Sequence, residues 1–329
     1  MARATTQQIG IKTSRVKGMA AGTENVMTHR QHLKVLRSAN LADSSQRAYA
    51  SDIRHFRQHQ GSLPAKPTQV ALYVAQWSSV HAYATLTRRM AALDHWHKSK
   101  GFVSPVKSTI VQEALRGMRR IYGGAQRQVR AITAKELTQL IEVAKKPSTP
   151  ANNHKKGDCI TRTLRDVALL LVGFSAALRR SELVALQISD LEVDQRGMTV
   201  HIRRSKTDPY GRGQRIQIPR GKRVASCPIR AVQAWIEHAE LSNGPIFRAV
   251  DRYGNVDTAG LNSQSVALIV KRMAAQAWGE KATDEFSGHS LRAGFCTDAA
   301  QRGISIYAIC RVTRHRSAES LGRYVRVGT

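Results

Sequence analysis

Apolar positions along this chain recur at helical spacing far more often than in alternation, which predicts a mainly α protein. In DSSQRAYASDIRHFRQHQG (43–61), Tyr49, Ile53 and Phe56 share one helical face, and Gly61 supplies a stop. KPTQVALYVAQWSS (66–79) puts Val70, Tyr73, Val74 and Trp77 on one face, with Thr68 as the expected cap. AYATLTRRMAALDHWHKSKG (82–101) does the same with Leu86, Met90, Leu93 and the Trp96–His97 pair, and STIVQEALRGMRRIYGG (108–124) adds a fourth helix. Amphipathic helices in succession bury their apolar faces against one another, so residues 41–122 read as a small helical bundle. Residues 1–40 are polar, basic and weakly periodic, and read as a flexible or partly helical arm.

The pattern then changes. GGAQRQVRA (123–131) pairs glycines with arginines and reads as an interdomain linker. Thr133 and Glu136 form a capping box that opens a helix running through Ala144. KKPSTPANNHKKGD (145–158) reads as a loop, and TRTLRDVALLLVGFSAA (161–177) as a long buried helix. MTVHIRR (198–204) and QRIQIPR (214–220) alternate apolar and polar positions, and SKTDPYGRG between them is turn chemistry. With ALQISDLEV (185–193) they predict a small three-stranded antiparallel sheet. From CPIRAVQAWIEHAE (227–240) the chain reads as helical to its end. Residues 132–329 are thus expected to form one α+β domain.

Charge narrows the function. Lys and Arg total 52 against 23 Asp and Glu, a net charge of +29, and both halves of the chain share the surplus. Such a field draws a protein to a polyanion and supplies affinity by counterion release, so DNA or RNA is the expected partner. The longest apolar run, VALLLVGFSAAL (167–178), is too short to span a bilayer, and the N-terminus lacks a hydrophobic signal core. A cytoplasmic protein with no membrane partner is expected. Cys159, Cys227, Cys296 and Cys310 show neither C-x-x-C pairing nor zinc-like spacing with histidine, so they read as reduced thiols.

Four segments hold candidate chemistry. AALRRSELVAL (176–186) carries Arg179 and Glu182, and RRSKTDPYGRG (203–213) carries Lys206 in a turn. GHSLRAGF (288–295) carries His289 and Arg292, which share a face if helical, and RHRSAESLGRYVR (314–326) carries His315 and Tyr324. Taken singly, each has a plain structural explanation: a helix-end arginine, a solvated lysine, a core histidine, a packing tyrosine.

Together, and in this order, the boxes LRRSEL, SKTD, HSLRAGF and RHRSAESLGRY resemble those of the tyrosine recombinase (phage integrase) family, over roughly residues 40–326. The resemblance implies that the N-terminal bundle is a SAM-like core-binding domain and that residues 132–329 are the catalytic domain. It implies strand cleavage and rejoining through a 3′-phosphotyrosyl intermediate and a Holliday junction, in a homotetramer on two double-stranded DNA sites with inverted repeats, with accessory DNA-bending proteins as optional partners at the bacterial nucleoid. Tyr324 would be the nucleophile, Arg179 and Arg292 would hold the phosphoryl oxygens, and Lys206 would protonate the leaving 5′-oxygen. His289 would assist Tyr324 or bond a phosphate oxygen, His315 would donate to another, and Glu182 would orient the cations from behind. No metal or cofactor is implied, because arginines carry the charge work. Arg88, Arg89, Arg119 and Arg120 are candidate DNA contacts.

The sequence departs from the family pattern in three places. Arg314 stands where a glycine commonly precedes the histidine, and Ala293 where a histidine often follows the arginine. Only VRVGT follows Tyr324, whereas many relatives continue into a helix that docks on a neighbouring protomer, so another contact or a further segment is expected to couple the protomers. A type IB topoisomerase, a hairpin telomere resolvase and an inert DNA-binding regulator share parts of this pattern and stand as the alternatives.

Overall fold

The structure, a computed structural model, describes residues 28–124, 128–146, 156–206, 208, 210–221, 223–315 and 317–322. The chain divides into two compact units, Met1–Gln126 and Arg127–Thr329.

The first unit contains α1 (His29–Ala39), α2 (Asp43–Gln60), α3 (Pro67–Trp77), α4 (Tyr83–Ser99) and α5 (Thr109–Tyr122). The end of the expected N-terminal arm, His29–Ala39, is therefore helix α1, while residues 1–27 lie outside the described ones. Phe56, Val70, Tyr73, Leu86, Met90, Leu93, Val111 and Met118 interlock as the core, as their spacing requires. Thr68 does not cap α3. Lys66 is the N-cap, Pro67 takes the first turn, where its missing N–H costs nothing, and Gln69 Oε1 accepts the Lys66 N–H at 3.0 Å. His97 is fully buried on α4. Its Nε2 accepts the Ala65 N–H at 2.9 Å, so its proton sits on Nδ1 and goes to the Leu93 carbonyl at 2.8 Å.

Arg89 is corrected as a DNA-contact candidate. It is buried, with Nη1 donating to the Tyr73 hydroxyl at 2.9 Å, because the α4 face it occupies is the one turned into the bundle. Arg88 is exposed but holds buried Asp52 in a two-pronged bond of 2.8 and 2.9 Å. Arg119, which lies over the Tyr83 ring, and Arg120 are both exposed.

The second unit runs α6 (Ala134–Lys145), α7 (Lys156–Ser175), α8 (Arg180–Ala185), β1 (Leu191–Val193), β2 (Gly197–Ile202), β3 (Gln214–Pro219), α9 (Pro228–His238), β4 (Arg248–Val250), β5 (Val256–Gly260), α10 (Ser263–Trp278), α11 (Ala282–Glu285), α12 (Ser290–Gln301), α13 (Ile306–Thr313) and α14 (Ala318–Gly322). The box at Thr133 forms as expected: Glu136 Oε2 accepts the Thr133 N–H at 2.8 Å. Helix α7 begins at Lys156, inside the segment expected to be loop. It is apolar all round from Val167 to Val172 and is correspondingly buried on every side, packed by α6, α8, α9 and α12.

The expected sheet is present in the order β1-β2-β3, all antiparallel, with Val200 opposite Leu191 on one side and Ile216 on the other. Met198, Val200, Ile202, Ile216 and Ile218 point inward, which fixes the register, since a one-residue slip would turn them all outward. The expectation of helix from residue 227 onward is corrected by β4 and β5, an antiparallel pair around an Asp251 turn. The Asp251 carboxylate accepts the Tyr253 and Asn255 N–H groups at 2.7 and 2.9 Å. These strands are short and mostly solvent-facing, so they carry little alternation to read. Among the described residues no helix is long and apolar enough to cross a membrane.

Candidate active site

The sharp turn between α7 and α8 starts the site. Ala177 takes a left-handed backbone conformation, φ 47°, which costs a non-glycine residue about 1–2 kcal/mol. It turns the Ala176 and Ala177 carbonyls toward arginines from distant segments. Arg179 follows as the N-cap of α8, three residues before Glu182. Glu182 is 3% exposed, so this is no solvated surface pair. Its Oε2 accepts the Arg179 backbone N–H at 2.8 Å, and its Oε1 accepts Arg179 Nη1 at 2.6 Å.

Arg292 arrives from the first turn of α12 and is 1% exposed. Its Nη1 donates to the Ala177 carbonyl at 2.8 Å, and its Nη2 donates to the Thr313 carbonyl. Nη2 also lies 3.3 Å from His315 Nε2. The His315 tautomer follows from its neighbour. The Thr313 hydroxyl gives its proton to the Ile309 carbonyl at 2.7 Å, so at 2.7 Å from His315 Nδ1 it must accept. Neutral His315 therefore carries its proton on Nδ1 and turns the Nε2 lone pair to Arg292. His289, the N-cap of α12, completes the group from the other side, half-buried and within electrostatic reach of Arg292, Arg180 and Arg179.

A third guanidinium, which the motifs did not place in the site, sits among these. Arg314 ends α13 in a left-handed conformation, φ 60°, and its side chain runs inward to 6% exposure. Its Nη2 donates to Glu182 Oε2 at 2.6 Å and to the Ala177 carbonyl at 3.3 Å. The sequence marks this residue only as a departure from the glycine that commonly precedes the histidine; its burial carries no local signal, because a lone arginine beside a histidine reads as exposed.

Three guanidiniums thus surround one carboxylate. Glu182 is pulled upward by burial, but Arg314 first and then Arg179 hold it below its ordinary range. Burial, with Arg179 and Arg314 beside it, lowers Arg292 to about 10, which leaves it charged at neutral pH. Burial first and then Arg292 push His289 and His315 down to about 4, with Arg180 and Arg179 adding to the effect at His289 and Arg179 at His315. Both imidazoles are neutral at physiological pH, and the cluster holds a surplus of two positive charges.

The histidines carry a pH signature. Their folded value lies below the ordinary 6.5, so between about pH 4 and 6.5 the unfolded chain binds more protons and stability rises with pH. The melting temperature is expected to climb between pH 5 and 6.5 and to climb less steeply in a His289→Gln/His315→Gln double variant. Equal slopes in a melting series would show that the rings are not held neutral.

Of the two remaining candidates, Lys206 alone is among the described residues, and it does not join the cluster. Lys206 stands exposed on the β2–β3 hairpin, next to a turn in which Asp208 accepts the Gly213 N–H at 2.9 Å. It makes no hydrogen bond or ion pair with the described residues of the cluster. Tyr324 lies outside the described residues. Among the described residues no group of three or more His, Cys, Asp or Glu is arranged to hold a metal ion.

Residues 130–329 match the model of the phage integrase family. The integrase/recombinase xerD homolog of Selenomonas ruminantium is 35% identical over 297 residues, covering 87% of this chain and 82% of the relative. Tyrosine recombinase XerC of Pelobacter propionicus is 26% identical, covering 92% and 91%. In fold, the chain is similar to the XerH site-specific recombinase in its post-cleavage complex with a palindromic difH substrate, with a TM-score of 0.57 and 16% identity over 90% of this chain and 80% of that one. It is similar to the same degree, TM-score 0.57 and 15% identity over 91% and 94%, to the Tn1549 transposon integrase in complex with transposon right-end DNA. The family match covers every segment that feeds the arginine cluster, and so the chain belongs to the phage integrase family and is a tyrosine-type site-specific recombinase acting on DNA.

Proposed function

We propose that the cluster of Arg179, Arg292, His289 and His315 receives the scissile phosphodiester, and that Tyr324 attacks it to leave the DNA joined to the protein as a 3′-phosphotyrosine. The observation that carries this reading is the surplus of two positive charges. A phosphodiester carries one negative charge, and its pentacoordinate transition state gathers a second on the non-bridging oxygens. A pre-formed centre of two positive charges favours the second state over the first, which is what catalysis requires. Arg179 offers the more accessible guanidinium, and its side chain is 17% exposed. Arg292 is reached where His315 Nε2 now sits.

The histidines respond to the same phosphate. Incoming negative charge offsets the arginines that keep them neutral, so His315 takes a proton at Nε2 and changes from acceptor to donor toward a phosphoryl oxygen. His289, while still neutral, accepts the phenol proton. Lys206, on an exposed hairpin, is in reach of the leaving 5′-oxygen only if the hairpin carries it there with the DNA. The basic helical unit is the expected grip on the duplex, through exposed groups such as Arg120. Cleavage in pairs within a homotetramer on two inverted-repeat sites, through a Holliday junction, completes the proposal.

The test uses duplexes spanning inverted repeats next to the coding region, nicked beside the scissile phosphate so that the cleaved fragment diffuses away. Wild-type protein is expected to form a denaturation-resistant adduct, and mass spectrometry of its digest should map the nucleotide to the peptide holding Tyr324. An adduct on any other residue would remove Tyr324 as nucleophile. Relaxation of any supercoiled plasmid without such repeats would favour the topoisomerase reading.

A further inference from the structure

We infer that Arg314 is a positioning residue of this reaction centre, the bridge that holds Arg179 and Glu182 in register with the His315 turn. The inference rests on reading the cluster as the site of phosphoryl transfer. It stands on geometry that a merely structural arginine would not need. Arg314 occupies a left-handed position where glycine would sit without strain, so an arginine there opposes the backbone preference. Its charge is almost wholly removed from water, which is costly unless paired. The pairing goes mainly to the site: Glu182 Oε2 at 2.6 Å, the Ala177 carbonyl at 3.3 Å and the Ala176 carbonyl at 3.5 Å, with the Val312 carbonyl at 2.9 Å closing its own turn and the buried Nε left without a hydrogen-bond partner among the described residues.

The backbone of Arg314 completes the bridge. Its carbonyl accepts Arg179 Nη2 at 3.3 Å, so one residue grips Arg179 twice, directly and through the shared carboxylate. The residue before it, Thr313, accepts from Arg292 and orients His315, which is the residue after it. Residues 313–315 therefore touch both phosphate-binding arginines, and the Arg314 side chain locks that turn onto α8. Without it, Glu182 would have Arg179 as its one ion-pair partner and would draw that guanidinium back from an incoming phosphate. Arg314 leaves Glu182 shared and Arg179 freer to turn outward.

The charged groups facing Glu182 are Arg179 from α8, Arg314 from the end of α13 and Arg292 from α12, with no second carboxylate paired to them among the described residues. Removing Arg314 takes away the largest charge that keeps Glu182 ionised. The acid limb of the cleavage profile should then move to higher pH.

The experiment measures single-turnover adduct formation on the nicked duplex for wild type, Arg314→Gly, Arg314→Lys and Arg314→Gly with added guanidinium chloride, against matched sodium chloride. Arg314→Gly is expected to slow the adduct step about 10- to 100-fold with little change in DNA binding. Its acid limb should shift upward, and its melting temperature should fall only modestly, because relief of the left-handed turn offsets part of the lost buried ion pair. Arg314→Lys should recover part of the acid limb but not the full rate, and free guanidinium should restore part of the rate to Arg314→Gly. An Arg314→Gly protein that reacts at the wild-type rate with an unmoved acid limb overturns the inference. So does one whose rate and melting temperature fall together and which neither lysine nor guanidinium repairs. A wild-type chain that forms no adduct at all overturns the phosphoryl-transfer reading itself, a result distinct from either.

Discussion

Replacing Arg292 by lysine is expected to slow adduct formation by about 10³-fold or more while leaving the protein folded and DNA-bound. The guanidinium spans the Ala177 carbonyl, the Thr313 carbonyl and the His315 ring from a single planar fork. An ammonium keeps the charge but, as a point donor on a flexible stem, cannot hold two carbonyls and a phosphoryl oxygen in one plane. Arg292→Ala should be as inactive and also less stable, because each orphaned buried carbonyl costs about 1–3 kcal/mol. Comparing the two by adduct rate and melting temperature separates chemistry from packing. A lysine variant within tenfold of wild type would show that Arg292 is a brace and not a phosphate ligand.

Replacing Gly294 by alanine should destabilise the second unit by about 3 kcal/mol or more, against the usual sign for a glycine within a helix. Helix propensity by itself would favour alanine by about 1 kcal/mol. A Cβ at this position, however, would lie 1.7 Å from the Ile132 carbonyl oxygen and 2.4 Å from its carbon. Backbone, unlike a side chain, has no alternative rotamer to adopt. Nor can the Ile132 segment move off freely, since its N–H donates to the Ser290 carbonyl at 3.0 Å and the Arg130 N–H donates to the Glu285 carbonyl at 2.9 Å. The shift would pass along α12 to Arg292, two residues earlier. Gly117 on α5, where a Cβ meets nothing within 4 Å, is the control and should gain slightly on the same substitution. Denaturant unfolding of both variants reads the difference; equal effects would mean that the close approach at Gly294 does not constrain the helix.

How legible the molecule is in its sequence differs from element to element. Helices α2, α4 and α5 and strands β2 and β3 are readable because each has one buried face, and burial imposes a period on the residues. Strands β4 and β5 are not, because they are short, pack on the core only partly through Ala249, Val250 and Val256, and are joined by an Asp251 turn. Thr68 has the chemistry of a cap, yet Pro67 sets the start of α3, and its cap Lys66, two residues earlier. Arg89 and Arg120 look alike in sequence, and only the bundle distinguishes the buried one from the exposed one.

By itself, the order of short motifs along the chain determined which residue types were available for phosphoryl transfer and that a strongly basic protein would meet a polyanion. Local spacing also determined the Arg179–Glu182 pairing, since a cap and the third helical residue always lie close. What only the tertiary structure decided is that arginines from the ends of three separate helices converge: Arg179 and Arg314 share the Glu182 carboxylate, and Arg292 and Arg314 share the Ala177 carbonyl. Contacts between residues more than a hundred positions apart leave no period in a sequence. The sequence marked the third arginine as a departure but not its role: its burial depends on the turn at Ala177, the carboxylate of Glu182 and the left-handed end of α13 coming together in space.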